Sequence, residues 1–163
     1  MCLDGISGQL LSTGRFSHQP PSTHALKSLE LHEVTESSSD WELLQHLTKL
    51  KELSIYSCNG LTQLPESMRN LTSLERLTIN GCPAVGTLPD WLGELHSLRY
   101  LDLTMGDDWK QLPEAIQHLT SLEHLGLLSG RALTVLPEWI GQLSALRRFY
   151  MRGFPALEGR LVE

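Results

Sequence analysis

The sequence Leu71-Thr-Ser-Leu74-Glu-Arg-Leu77-Thr-Ile79 has the pattern L-x-x-L-x-x-L-x-L, with isoleucine in the last position. The same pattern recurs every 24 residues, without an insertion, in copies that begin at Leu47, Leu71, Leu95, Leu119 and Leu143. A second motif, L-P-E or L-P-D, recurs with the same period at residues 64–66, 88–90, 112–114 and 136–138. The chain is therefore built from repeats.

The spacing within each repeat predicts a solenoid. Two leucines separated by one residue point to the same face of a strand, and the residue between them points to the other face. A single repeat cannot bury these leucines by itself, but stacked repeats form a continuous core. Proline followed by an acidic residue, with an apolar residue three positions after the proline, predicts one or two helical turns that are partly 3₁₀.

A period of about 20 to 29 residues with L-x-x-L-x-L is typical of leucine-rich repeats. We therefore expect an α/β fold, namely a right-handed leucine-rich-repeat solenoid. Its curved parallel β-sheet should form the concave face, and short helical or 3₁₀ turns should form the convex face. Six strands are expected, starting near Leu29, Leu53, Leu77, Leu101, Leu125 and Phe149.

The 163 residues, 40% of them hydrophobic, are enough for one domain with a continuous core. Residues 1–22 carry no repeat and are interpreted as an irregular N-terminal segment or as the degenerate edge of a preceding unit, and residues 23–163 as the leucine-rich-repeat domain. That domain holds about six rungs of 24 residues, of which the first is degenerate and the last is truncated. A serine-rich loop at residues 37–39 precedes Asp40, which is expected to cap a short helix. Neither end shows a polar capping unit, so we expect the chain to be part of a longer protein.

Composition limits the classes of function. A formal net charge of -6 offers no basic surface for a phosphate backbone, so we expect no nucleic-acid partner. No apolar run approaches the length of a membrane span, and no signal peptide is recognisable, which favours a cytoplasmic or nuclear location. Cys58 and Cys82 occupy the same position of adjacent rungs and are expected to be buried, reduced thiols. A disulfide between neighbouring rungs is the alternative.

Motifs that would carry catalysis are missing from the sequence. It contains no phosphate-binding loop, no G-x-G-x-x-G, no H-E-x-x-H and no G-x-S-x-G, so we expect no catalytic residues, no metal ligands and no cofactor. One hydrolytic combination can be imagined, because Asp102 and His124 should meet diagonally on the sheet, near Thr104 or Ser129. It lacks a recognisable pocket and oxyanion donors, and we do not assign an enzymatic function to it.

Binding is the function that an exposed concave sheet favours. Its outward positions in the last rungs concentrate aromatic and arginine side chains, which are the types that most often anchor protein interfaces. The candidate binding residues are Tyr56, Arg76, Tyr100, Asp102, His124, Arg148, Tyr150 and Arg152. Gly126 lies between Asp102 and Tyr150 in its column and is expected to leave an open notch. The alternative is that all of these are ordinary solvent-facing strand residues.

Two stretches carry a resemblance to a known family. The rung at residues 71–83, which ends in Gly-Cys-Pro, and the return segment Leu-Pro-Glu-Trp-Ile-Gly-Gln-Leu at 136–143 resemble the C-terminal repeats of plant intracellular nucleotide-binding leucine-rich-repeat immune receptors. The coiled-coil class from grasses is the most similar. Extracellular plant repeats carry G-x-I-P where this chain has Thr-Gln-Leu-Pro at 62–65, which favours the intracellular group.

This resemblance implies a protein partner: a pathogen effector, a guarded host protein, or the receptor's own nucleotide-binding domain, which the repeats would help to hold inactive. The chain contains no phosphate-binding loop, so switching by nucleotide is not implied for it. Two alternatives from other classes stay open. One is a free-standing intracellular signalling scaffold, and the other is the substrate-binding part of a ubiquitin-ligase receptor.

Overall fold

The computed structural model describes residues 8–9, 26–34 and 40–158. Within them, one parallel sheet contains seven strands in the order of the sequence. The strands are β1 (Gly8–Gln9), β2 (Ser28–His32), β3 (Glu52–Tyr56), β4 (Arg76–Asn80), β5 (Tyr100–Thr104), β6 (His124–Leu128) and β7 (Arg148–Arg152). Short helical segments connect the strands on the other side, which confirms the predicted solenoid.

The sheet keeps the 24-residue register of the sequence. Leu53 of β3 pairs with Leu29 on one side and with Leu77 on the other, and the same offset continues to Phe149. In β2 to β6 the inward leucines and isoleucines are buried, and they join one core that runs from Leu29 to Phe154. The residues between these inward positions form the opposite side of the sheet, which we call the concave face.

The return segments are 3₁₀ helices that begin directly after proline. They span Glu66–Asn70, Asp90–Glu94, Glu114–His118 and Glu138–Gln142. Each proline carbonyl accepts a hydrogen bond from the N–H three residues later, as in Met68 N to Pro65 O at 3.0 Å. Proline lacks an N–H and has a fixed φ, so it starts such a turn without losing a donor. In the degenerate first rung, α1 (Asp40–Leu43) and a 3₁₀ turn at Leu44–His46 replace this device.

A left-handed backbone residue follows most strands. The φ angle is positive at Glu33, Ser57, Gly81, Ser129 and Gly153, which are spaced by multiples of 24 residues. In the remaining rung Met105 takes this place without a positive φ, and its side chain is buried. Only Gly81 and Gly153 could have revealed this turn from the sequence, since glycine adopts the conformation without steric cost.

The structure differs from the sequence prediction at both ends of the sheet. The additional strand β1 lies within residues 1–22, which were predicted to hold no rung, and it pairs with Leu29 and Glu30. Backbone hydrogen bonds are enough for a two-residue strand, so no side-chain pattern announces it. At the other end Phe149 occupies the inward leucine position but is 37% exposed, because no strand follows β7 among the described residues.

The cysteine position behaves as expected for a buried slot. Cys58 and Cys82 are free thiols and at most 1% exposed. Their side chains share a hydrogen bond, which lowers the pKa of Cys58 to about 7 and raises the pKa of Cys82. The two pKa values shift in opposite directions because the thiol of Cys82 stabilises the thiolate of Cys58. The thiolate of Cys82 would then have to form beside that negative charge.

The turn after β7 packs through Phe154, which occupies the same position in its repeat as Cys58, Cys82, Gly106 and Gly130. Phe154 is 2% exposed, and a Cβ placed on Gly130 would lie 2.1 Å from its ring. The short α2 (Pro155–Glu158) follows it. The serine-rich loop at 37–39, Cys2, most of the predicted irregular segment and the chain beyond residue 158 lie outside the described residues, and the predicted domain boundary at residue 22 stays a prediction.

Candidate functional site

The outward positions of β4 to β7 bring together most of the residues that the sequence marked as binding candidates. Arg76, Tyr100, His124 and Arg148 are the first residues of four adjacent strands and lie side by side in register. Asp102, Gly126 and Tyr150 form the next outward column. Because the strands are parallel and share one register, a 24-residue sequence spacing becomes contact between neighbouring strands.

Asp102 is the centre of a hydrogen-bonded cluster on this face. Its Oδ2 accepts a hydrogen bond from the hydroxyl of Tyr100 at 2.6 Å. Its Oδ1 accepts one from the hydroxyl of Tyr150 at 3.1 Å and lies 3.2 Å from Nε2 of His124. We call these four residues, Tyr100, Asp102, His124 and Tyr150, the Asp102 cluster. One carboxylate thereby holds three ring side chains from β5, β6 and β7 in place.

Gly126 does not leave the open notch that the sequence predicted. A Cβ at this position would lie 1.9 Å from Oδ1 of Asp102 and 2.5 Å from Cζ of Tyr150. The two side chains therefore lean over the glycine from both neighbouring strands and form their hydrogen bond above it. The glycine is needed because it lets these side chains approach each other across the backbone of β6.

The rings of the cluster are stacked and partly buried. Tyr100 and His124 lie parallel, with ring centroids 4.1 Å apart, and the ring of Tyr150 is tilted against His124. Nδ1 of His124 is buried and has no hydrogen-bond partner. Tyr150 remains the accessible member, at 40% exposure.

The hydroxyl groups respond to the carboxylate that they face. The hydrogen bond to Asp102 and burial raise the pKa of Tyr100 to about 12. Burial and the same carboxylate also raise the pKa of Tyr150. Both phenols are therefore neutral donors at physiological pH, which keeps the cluster intact.

Asp102 and His124 meet as the sequence suggested, but the groups expected beside them do not complete a hydrolytic arrangement. The hydroxyl of Thr104 donates to Asn80 at 2.9 Å, and Ser129 lies in the turn beyond β6. The hydroxyls on Asp102 belong to Tyr100 and Tyr150 instead. Among the described residues no cluster of His, Cys, Asp and Glu is suited to a metal ion, and no helix is long and apolar enough to span a membrane.

Beside the Asp102 cluster, at the starts of the strands, lies a cleft of about 410 Å³ that we call the arginine cleft. Its lining residues are Glu75, Arg76, Arg99, Tyr100, Glu123, His124, Arg147 and Arg148. Arg99 and Arg147 are not among the predicted binding residues, because each directly precedes the first outward position of its strand. Their signal was present, since Lys27, Lys51, Glu75, Arg99, Glu123 and Arg147 form a charged column with a 24-residue period.

Tyr56 and Arg152 stand apart from this group. The ring of Tyr56 stacks on His32 in β2, with centroids 5.0 Å apart. Arg152 is exposed at the far end of β7. The candidate residues are thus divided between the Asp102 cluster with its neighbouring arginines and two separate positions.

A second cleft, of about 340 Å³, lies on the convex side and includes Trp41, Pro65, Pro89 and Trp91. Trp91 is 6% exposed, and its Nε1 is buried without a hydrogen-bond partner among the residues that the structure describes. Gln63 and Glu66 also line this cleft, and we assign no ligand to it.

Comparisons with known proteins agree with this architecture. A family model described as leucine-rich repeat region matches residues 12–158. No curated protein sequence is significantly similar to the chain.

Among solved structures, a leucine-rich-repeat protein of Leptospira interrogans is 30% identical with a TM-score of 0.67, covering 84% of this chain and 34% of its own. The leucine-rich-repeat domain of the type III effector XopL is 25% identical with a TM-score of 0.57, covering 80% of this chain and 53% of its own. An internalin of Listeria monocytogenes shares the fold at 20% identity and a TM-score of 0.52, covering 82% of this chain and 46% of its own. The chain thus spans about a third to a half of these proteins' lengths.

Proposed function

Since the chain belongs to the leucine-rich-repeat family, we propose that it is a protein-binding domain whose partner docks on the concave face of β4 to β7. Domains of this fold typically use their concave surface to bind proteins, and the family model that matches the chain describes a leucine-rich repeat region. The alternative that the concave residues are only solvent-facing is less favoured, because their side chains are organised by specific hydrogen bonds.

The observation that carries the proposal is the Asp102 cluster. Tyrosine and arginine are the side chains that contribute most to interface affinity, and a group that is already fixed loses little conformational entropy on binding. Here Asp102 fixes Tyr100 and Tyr150, while Arg76 lies 5.2 Å over the ring of Tyr100. Tyr150, which belongs to the cluster, and Arg148, which lies beside it, are both exposed. They are the residues best placed to contact a partner.

Photocrosslinking tests this docking face directly. The full chain would carry p-benzoylphenylalanine at position 152, which is exposed on β7 outside the Asp102 cluster, or, as the matched control, at position 117 in a convex 3₁₀ helix. We expect position 152 to crosslink one protein reproducibly, and position 117 not to crosslink it. An additional Arg148→Ala change should weaken that crosslink without lowering the melting temperature. Equal crosslinking from both positions would contradict the concave site.

The resemblance to plant immune receptors supports a more specific proposal. We place the chain in the repeat region of an intracellular plant disease-resistance receptor, in the cytoplasm or the nucleus. There it recognises a pathogen effector or a guarded host protein and contributes to autoinhibition through the receptor's nucleotide-binding domain. The Gly-Cys-Pro after β4 and the L-P-E-W-I-G-Q-L return segment support this assignment.

An antibody against the chain tests the receptor assignment. On an immunoblot of the source tissue we expect a band several times larger than the chain, and sequencing of the corresponding transcript should show an upstream phosphate-binding loop. A full-length product without such a loop would favour the free-standing scaffold. An upstream F-box segment would favour the ubiquitin-ligase receptor.

A further inference from the structure

We propose that the arginine cleft binds a carboxylate-rich segment of the partner protein, through the guanidinium groups of Arg147 and Arg148. The inference rests on the proposed protein-binding function and adds the chemistry of the partner at that face. Its basis is the distribution of ion pairs inside the cleft.

The two acidic residues of the cleft are already neutralised. Nζ of Lys51 lies 2.5 Å from Oε1 of Glu75, and this hydrogen bond lowers the pKa of Glu75. Nη1 of Arg99 lies 2.9 Å from Oε1 of Glu123. Each of the two carboxylates therefore forms an ion pair with a cation from the neighbouring rung. Neither is the ion-pair partner of Arg147 or Arg148.

The remaining arginines differ in what they contact. Arg76 lies 3.4 Å from Glu52 and rests on the ring of Tyr100. Arg147 and Arg148 are both exposed, and neither has a carboxylate within 4.0 Å among the residues that the structure describes. Arg147 and Arg148 thus line the cleft without a counter-ion among the described residues.

This local excess of positive charge contrasts with the chain as a whole, whose formal net charge is -6. Guanidinium groups bind carboxylates through paired hydrogen bonds in a fixed planar geometry. The rings of Tyr100 and His124 also line the cleft, and their stacking on each other holds both rings in place beside the arginines.

The cleft fits a short peptide segment better than a nucleic acid. A volume of about 410 Å³ accommodates a few side chains. A phosphate backbone instead requires an extended basic surface. The outward residues at the starts of the preceding strands β2 and β3 are Ser28 and Glu52, which carry no positive charge. Charge complementarity therefore points to acidic side chains on a protein.

Fluorescence anisotropy with defined probes tests the proposal on the full chain. The probe is a fluorescein-labelled peptide of about ten residues in which glutamate alternates with glycine, and its control replaces every glutamate with glutamine. At about 20 mM salt, where charges are weakly screened, we expect the glutamate peptide to bind at least about tenfold more tightly. Raising the salt to about 150 mM should weaken that binding.

Two double variants separate the cleft from net charge. Arg147→Gln with Arg148→Gln removes the unpaired guanidinium groups and should weaken binding of the glutamate peptide at least about tenfold. Lys110→Gln with Arg131→Gln changes the net charge equally, but these residues follow β5 and β6 at the opposite ends of the strands. This control should change affinity less than about twofold. Circular dichroism melting curves check that both variants fold.

Three results would overturn the inference: equal losses in the two double variants, glutamate binding that does not depend on Arg147 and Arg148, or tighter binding of a single-stranded DNA oligomer of similar charge. Crosslinking from position 152 reports on the docking face without the acidic peptide. If that crosslink persists while the glutamate peptide does not bind, the protein-binding function stands and the acidic partner is excluded. If both fail, the concave face is not the site.

Discussion

Gly126 is the residue on which the geometry of the site depends, because Asp102 and Tyr150 meet above it. In Gly126→Ala the new methyl group would displace both side chains and break their hydrogen bond, while the backbone of β6 can keep its conformation. We expect a loss of about 1 kcal/mol in unfolding free energy, measured by urea denaturation, and a larger loss of partner crosslinking from position 152.

Gly86→Ala is the matched control for that prediction, since nothing lies within 4 Å of a Cβ at this exposed position. It should leave both measurements unchanged. A Gly126→Ala variant that retains full stability and full crosslinking would show that Asp102 and Tyr150 do not need to meet above the strand.

The pKa of Tyr100 gives a second test at the residue scale. Asp102 raises this pKa to about 12, so the cluster stabilises the fold fully below the unfolded tyrosine pKa of about 10. That contribution is lost as the pH rises from about 10 through 12. Asp102→Asn should bring the pKa of Tyr100 back toward 10, which NMR of the tyrosine Cζ would detect. Tyr56, which stacks on His32 away from Asp102, serves as the internal control. An unchanged Tyr100 titration would show that Asp102 does not cause the shift.

Among the structural elements, each of the strands β2 to β6 contributes two inward side chains to the core. Leu77 and Leu101 are fully buried between neighbouring rungs. Replacing either with alanine leaves a cavity that the stacked strands cannot fill, so we expect a loss of about 2 to 5 kcal/mol in unfolding free energy. Thr78→Ala changes an outward position next to Leu77 and should cost less than about 1 kcal/mol. Equal effects of Leu77→Ala and Thr78→Ala on the urea midpoint would contradict the burial of the inward column.

At the scale of the whole molecule, the core is continuous from Leu29 to Phe154 and is built mainly from contacts between neighbouring rungs. With so few rungs, partial unfolding would expose a complete leucine layer, so we expect a single cooperative transition. Urea unfolding curves from tryptophan fluorescence and from far-UV circular dichroism should coincide, since Trp41, Trp91 and Trp109 are spread along the core and buried. Two separated transitions would show that the first and last rungs unfold independently.

Much of the molecule could be predicted from the sequence. The constant 24-residue spacing places like residues on adjacent strands, and the alternation within each strand separates inward from outward side chains. The sheet register, the burial of Cys58 and Cys82, the proline-initiated turns and the contact of Asp102 with His124 all follow from these two periods. Strand β1 and the left-handed turns at Ser57 and Ser129 did not, because backbone hydrogen bonds form them without a characteristic side chain.

The sequence by itself thus determined the solenoid and the set of side chains on its concave face. Only the tertiary structure decided which of those side chains contact each other. Asp102 and Tyr150 close over Gly126, and Arg147 has no carboxylate partner among the described residues because Arg99 already pairs with Glu123. A repeat period specifies which residues are neighbours. Rotamers and hydrogen bonds between three neighbouring strands determine which of them pair, and these depend on distances that no single repeat contains.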